Sequence, residues 1–468
     1  MRKNIFICFL LVTFLLSTLY VHGQDELPLQ ASAAVLVEQT TGRVLYSRNA
    51  HARMYPASTT KLLTALLVEQ YLDLDEIVVI GQEIRGMPAG FATNLHAEGE
   101  TITVGVLLKA FLIRSSNEAG RVLALEVVRT VDGRRNIPYT EAKTRFSQLM
   151  NNKARLLGAA NSNFNNPYGL HSESHFTTAY DMALIGRAFM DIPVLMEIAA
   201  MREFTGDSLG GRHHPEANVR QYSLVNTNLM LPGAMFGHPY ILGGRTGFTT
   251  PAGHCFVGMA YHDGLALVSV VLYSMESDRW QDTRVLIDYG FINFGFREVA
   301  IAEQLLDTVM IENPRLGDSD TLDIMLPEGH IALLSRAEYA AITREIIFDP
   351  LYEVEHGGEY TGYTLLRAPI ENGAAVGTVV YRTGGEVIFS APVVAARQVQ
   401  ERTFDSDMDY YIALILGNIF TMRALPYWFG VFGTLFGIIG ISMAISASRK
   451  ARRANHWQPK EPRRRRRL

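Results

Sequence analysis

Residues 56–68 read Pro56-Ala57-Ser58-Thr59-Thr60-Lys61-Leu62-Leu63-Thr64-Ala65-Leu66-Leu67-Val68, and they hold the chain's only Ser-x-x-Lys. The run after Lys61 is apolar and helix-like, and a serine at position 58 suits a helix start. Residues three apart on a helix share a face, so the Ser58 hydroxyl and the Lys61 amine can meet. A lysine held among apolar neighbours loses hydration, and a helix N-terminus is electropositive; both effects favour the neutral amine. A neutral amine beside a hydroxyl is a general base beside a nucleophile. A capped helix with a solvated lysine accounts for the same spacing. The choice turns on what else the chain supplies.

Two further segments bear on it. Leu112-Ile113-Arg114-Ser115-Ser116-Asn117-Glu118-Ala119-Gly120 places a Ser-x-Asn where one helical pattern ends and the next begins. Ser115 can relay a proton between Lys61 and a leaving amine, and the Asn117 amide, donor and acceptor together, can hold a substrate peptide bond. Ser47-Arg48-Asn49 has the same form by accident. Gly243-Gly244-Arg245-Thr246-Gly247-Phe248 follows a strand at Tyr240. A basic residue and a hydroxyl on a strand edge suit a carboxylate, and Gly247 lets a ligand approach the backbone. Arg382-Thr383-Gly384 repeats the triplet, but between two β-rich runs and beside Gly385, where it reads as a hairpin turn.

The ends of the chain place it at a membrane. Arg2 and Lys3 precede an apolar stretch over residues 5–20, and Val21-His22-Gly23 closes it, the layout of a secretory signal peptide over 1–23. An uncleaved anchor is the alternative reading. Residues 425–448 carry no charge and are long enough to cross a bilayer, with Tyr427 and Trp428 at interfacial depth. Residues 449–468 hold ten Lys or Arg against Glu461, so the positive-inside rule puts this tail in the cytoplasm and the rest outside. Setting aside two basic residues in the signal and the tail's charges, residues 25–448 keep 31 basic against 46 acidic residues, about −15. That charge does not suit a nucleic-acid binder. Cys8 lies in the signal, so only Cys255 remains in the mature chain; an internal disulfide and a cysteine-rich metal site are excluded.

Between the ends, β-rich runs at 33–37 and 43–46 form a hairpin around Gly42, and helical patterns fill residues 58–190. Strand character returns at 240–242, 255–260 and 265–273, and a helix follows at 278–294. This is one helical block with the strands of a single antiparallel sheet, over 28–296. Short alternating runs over 297–397 read as a small all-β domain. A charged juxtamembrane segment, 398–424, precedes the membrane helix.

In the order Ser-x-x-Lys, Ser-x-Asn, basic-Thr-Gly, the three triplets resemble those of the penicillin-recognising serine enzymes. Specifically, they are similar to the low-molecular-mass penicillin-binding proteins that are D-alanyl-D-alanine carboxypeptidases. The likeness extends to Ala33-Ala34-Val35-Leu36-Val37, Glu98-Gly99-Glu100-Thr101-Ile102-Thr103-Val104, Asn166-Pro167-Tyr168-Gly169-Leu170, Thr177-Thr178-Ala179-Tyr180-Asp181 and Asn226-Thr227-Asn228. It covers roughly residues 30–397. The implied fold is α+β, an antiparallel sheet with a flanking helical block of the β-lactamase/transpeptidase type, plus a C-terminal all-β domain and a transmembrane helix.

The resemblance implies Ser58 as nucleophile, Lys61 as its base, and Ser115 and Asn117 as proton relay and substrate contacts. It places the oxyanion hole at the N–H groups of Ser58 and Phe248. A terminal D-alanine carboxylate would meet Arg245 and Thr246 beside Gly247, with Arg279 as a further anchor. It implies no cofactor and no metal, peptidoglycan stem peptides as substrate and β-lactams as covalent inhibitors. The site would lie on the outer face of the cytoplasmic membrane. A β-lactamase on the same core and a catalytically impaired wall-binding scaffold are the rival readings. One position departs from the family: its third motif usually begins with Lys, and here stands Arg245. An arginine forks onto a carboxylate but cannot release its proton, so acylation is expected to be retained and slowed. His171, Glu173 and His175 crowd together in sequence and are expected to decorate a loop near the cleft rather than hold a metal.

Overall fold

The computed structural model describes residues 26–88, 90–212, 217–354, 364–419 and 425–454; the expected signal peptide and the tail beyond 454 lie outside the described residues. The chain divides into two units, one of residues 1–297 with 333–337, the other of 298–332 and 338 onward.

The first unit is built on a five-stranded antiparallel sheet. Its strands are β1 (Ala33–Glu38), β2 (Val44–Arg48), β3 (Ile241–Thr249), β4 (Gly253–His262) and β5 (Leu265–Ser274), in the spatial order β2-β1-β5-β4-β3. β1 is buried along its whole length. Successive side chains point to opposite faces, so Val35 and Val37 join the core under the helical block while Ala34 and Leu36 join the core on the other face. A strand covered on both faces reads as an unbroken apolar run, as this one does.

The helical block holds α1 (Lys61–Tyr71), α2 (Val104–Ile113), α3 (Asn117–Asp132), α4 (Tyr139–Leu156), α5 (Ala179–Met190) and α6 (Pro193–Ala200). A further helix, α7 (Asp278–Asn293), packs on the second face through Trp280, Leu286 and Ile287. Capping decides where the site falls. Thr103 accepts from the Val106 N–H to start α2, and Ser116 accepts from the Ala119 N–H to start α3. Between them the chain turns through Ser115 at φ 68, a left-handed conformation uncommon for serine.

Two boundaries differ from the sequence reading. Ser58 lies in a 3₁₀ turn, Ala57–Thr60, that precedes α1. Residues i and i+3 eclipse in such a turn, so Ser58 still faces Lys61. The segment from Gly243 to Phe248 lies inside β3, which is an edge strand, instead of following a shorter strand.

The second unit holds a six-stranded sheet of β6 (Gln304–Glu312), β7 (Thr321–Leu326), β8 (Thr343–Phe348), β9 (Leu365–Arg367), β10 (Ala375–Thr383) and β11 (Glu386–Ala395). The order is β8-β10-β11-β7-β6-β9, with only β6 and β9 parallel. Arg382-Thr383-Gly384 is here the end of the β10–β11 hairpin, with Gly384 and Gly385 both at positive φ. The juxtamembrane segment contains a helix, α8 (Phe404–Ile419), started by a reciprocal cap between Thr403 and Ser406. α9 (Leu425–Ala454) carries an apolar stretch, Leu425–Lys450, long enough to cross a membrane.

Candidate active site

Lys61 is fully buried on the first turn of α1. Its Nζ lies 2.9 Å from Ser58 Oγ, 2.7 Å from Asn117 Oδ1 and 3.0 Å from the Tyr168 carbonyl. Burial pushes its pKa well down, the Arg245 charge pushes the same way, and the Glu118 carboxylate opposes them. A neutral amine has two N–H donors and one lone pair. The Asn117 and Tyr168 oxygens can take the two donors, which leaves the lone pair for the Ser58 proton. The Asn117 amide is fixed in that sense by its own Nδ2, which donates to the Phe91 carbonyl at 2.8 Å.

A loop over 166–170 makes this arrangement rigid. Asn166 Oδ1 accepts from the N–H groups of Gly169 at 2.8 Å and Leu170 at 2.9 Å, and the Pro167 carbonyl accepts from Thr64 on α1. Gly169 sits at φ 86, and a Cβ there would lie 1.8 Å from the Ala57 carbonyl oxygen. Only glycine lets the loop press against the residue before the nucleophile.

The opposite wall is β3. A Cβ at Gly247 would stand 2.9 Å from the Pro56 carbonyl and 3.0 Å from the Ser58 nitrogen, so glycine brings the strand onto the Ser58 turn. Thr246 Oγ1 pairs with Thr227 Oγ1 at 2.9 Å. Phe248 is exposed, and its ring stacks on His254. Arg279 reaches His254 from α7. Ser115 is half-buried at the α2–α3 turn, and its hydroxyl makes no hydrogen bond among the described residues.

Arg245, expected to fork onto a substrate carboxylate, is engaged here with main-chain carbonyls. It is only 1 % exposed, and burial lowers its pKa to about 9. Nη1 donates to the Leu112 carbonyl at 2.5 Å and Nε to the Ser58 carbonyl at 3.4 Å. Only Nη2 is without a partner. The guanidinium is long enough to reach backbone carbonyls beneath the cleft, and it ties the Ser58 turn to the end of α2.

A family model described as D-alanyl-D-alanine carboxypeptidase matches residues 21–275, more than half the chain. The chain belongs to this carboxypeptidase family. A second model, described as penicillin-binding protein 5, C-terminal domain, matches residues 307–401. Curated relatives include the D-alanyl-D-alanine carboxypeptidase DacF of Bacillus subtilis, 27 % identical over 81 % of this chain and 88 % of that one. DacB2 of Mycobacterium tuberculosis is 30 % identical over 56 % of this chain and 82 % of that one. Among solved structures, penicillin-binding protein 6B from Escherichia coli covers 80 % of this chain and 98 % of its own with a TM-score of 0.57 at 20 % identity, a likeness of fold.

The sequence did not single out several parts of this carboxypeptidase site. The Tyr168 and Phe91 carbonyls act through the main chain, which no side-chain pattern reveals. Glu118 accepts from the N–H groups of Thr93 and Asn94 and so fixes the loop that carries Phe91. His175 is not loop decoration: it is 1 % exposed, lies 2.9 Å from Thr60 Oγ1 and has its pKa lowered by burial to about 3. His171 and Glu173 do sit nearer the surface, 3.6 Å apart. Among the described residues, no three His, Cys, Asp or Glu side chains group as metal ligands.

Proposed function

We propose that the protein is a serine-type D-Ala-D-Ala carboxypeptidase that trims peptidoglycan stem pentapeptides outside the cytoplasmic membrane. The observation that carries this reading is Lys61 Nζ, fully buried and 2.9 Å from Ser58 Oγ, with carbonyl-type acceptors ready for its two remaining N–H bonds. Lys61 takes the Ser58 proton as Oγ attacks the penultimate D-alanine carbonyl. The oxyanion forms at the N–H groups of Ser58 and Phe248. Ser115 passes the proton to the departing D-alanine amine, and water then releases the acyl chain. Asn117 holds the substrate's peptide bond, while Thr246, Arg279 and the unpartnered Nη2 of Arg245 meet the terminal carboxylate. A β-lactam opens on the same serine and stays. α9 anchors the protein in the membrane, with the basic tail in the cytoplasm.

Incubation of the full-length protein with a penicillin, followed by mass spectrometry, tests the reading. A stable adduct on Ser58 together with D-alanine release from a pentapeptide mimic supports it. Rapid turnover of the penicillin would make the protein a β-lactamase, and no adduct would make it a wall-binding scaffold.

A further inference from the structure

The side chains of Phe248, His254 and Arg279 form a layer at one end of β3 and β4, and of these residues only the Phe248 main-chain N–H takes part in the proposed oxyanion hole. Phe248 and His254 are cross-strand partners, and their rings stack with centroids 4.3 Å apart. Arg279, on the first turn of α7, has Nη1 3.1 Å from His254 Nδ1, and its guanidinium lies over the Trp280 ring, 4.3 Å from the centroid. Arginine carries donors only, so Nδ1 is the acceptor and the ring proton sits on Nε2. The bond therefore exists only with a neutral imidazole. A protonated ring has a donor at both nitrogens and faces the fixed charge of Arg279.

We propose that His254 is a positioning residue: neutral, it holds the Arg279 guanidinium in place for the substrate's terminal carboxylate, and protonation of its ring releases that guanidinium. The proposal rests on the carboxypeptidase reading of the site. Two charges act on the ring. Arg279 on α7 opposes its protonation, and Glu276, in the connection from β5 to α7, favours it. β3 brings only the Phe248 ring, and the neighbouring Cys255 on β4 is a buried thiol held protonated by desolvation. Burial and Arg279 together keep His254 below the ordinary histidine range. The device is therefore intact at neutral pH and opens in acid. Its effect falls on substrate binding, because the Ser58–Lys61 pair is on the other wall.

The experiment follows D-alanine release by the full-length protein in detergent from an N-acylated tripeptide ending in D-Ala-D-Ala, between pH 4.5 and 8.5. The wild type is expected to show KM rising in acid with a separate profile for kcat. His254→Ala should raise KM about tenfold at pH 8 with kcat within about threefold, the size of one lost charge-assisted hydrogen bond. His254→Gln keeps an acceptor that does not titrate, so it should restore KM at pH 8 and flatten its rise in acid. Adduct formation with benzylpenicillin checks that each variant is folded. If Arg279→Ala raises KM and His254→Ala does not, the proposal falls while the carboxypeptidase reading stands. A parallel loss of kcat in His254→Ala, or an unchanged acid rise of KM in His254→Gln, also overturns it. If neither D-alanine nor an adduct is formed by the wild type, the underlying reading falls with it.

Discussion

The two walls of the cleft are finished to different degrees. On the α1 wall the groups around the base are partnered: Lys61 donates to the Asn117 and Tyr168 oxygens and faces the Ser58 hydroxyl with its lone pair, Asn117 is tied to Phe91, and Thr60 is tied to His175, while the Ser115 hydroxyl stays open for the proton relay. On the wall formed by β3 and α7, Arg245 Nη2 and Arg279 Nε are buried donors without partners. Unsatisfied buried donors are costly, and they are tolerated where a ligand will satisfy them. The comparison teaches a division of labour. The chemical wall is preorganised, and the recognition wall holds cationic donors in reserve for an anion.

The largest effect should come from breaking the finished wall. Lys61→Met keeps the length and apolar packing of the side chain but removes the base. Acylation of Ser58 by a penicillin should fall by about a thousandfold, the middle of the range for a positioned proton acceptor. Rapid-mixing measurement of adduct formation checks this. A loss under tenfold would move the base elsewhere and dissolve the contrast between the walls.

Acid should attack the same wall through stability. His175 has a folded pKa of about 3 against an ordinary value of 6.5, so below pH 6.5 the unfolded chain binds a proton that the folded chain refuses. Its contribution is complete above pH 6.5 and is lost as pH falls from there toward 3. At pH 4.5, two units below the ordinary value, the loss from this one residue is about 3 kcal/mol. Tm measured against pH should fall more steeply for the wild type than for His175→Gln. Equal slopes would mean that the imidazole is not the group that ties Thr60.

Much of this could be read from the chain, and the reason lies in what side-chain patterns encode. β1 announced itself because burial on both faces demands an unbroken apolar run, and Ser58 and Lys61 met because a spacing of three is local. Thr246 and Gly247 were found by type, although the strand that carries them proved longer than its apolar core, since Gly243 and Gly244 hide it. The Tyr168 carbonyl, the Glu118 anchor for the loop bearing Phe91, and the Phe248–His254–Arg279 layer were not legible. They depend on main-chain atoms or on contacts between segments far apart in sequence. Gly169 was quoted as part of a resemblance, and only the 1.8 Å approach to the Ala57 carbonyl gives its physical reason.

The smallest expected effect concerns Arg245, where the two walls meet. Its guanidinium reaches the Ser58 carbonyl through Nε and the Leu112 carbonyl through Nη1, two separate donors held in a planar fork that the single nitrogen of a lysine does not reproduce. Arg245→Lys should therefore lose one of these bonds and about 1 kcal/mol of stability, read as a lower Tm. The ammonium is also more compact, and its three donors rotate freely, so one can turn toward the substrate carboxylate while another keeps a backbone carbonyl. Both residues keep their charge near Lys61, so the depressed pKa of the base survives the exchange. Acylation should rise by about threefold, a shift well under 1 kcal/mol. A variant that loses stability and gains rate would show that Arg245 trades recognition for a tie between the walls. If rate and stability fall together, Arg245 is a tie alone, and the carboxylate belongs to Thr246 and Arg279.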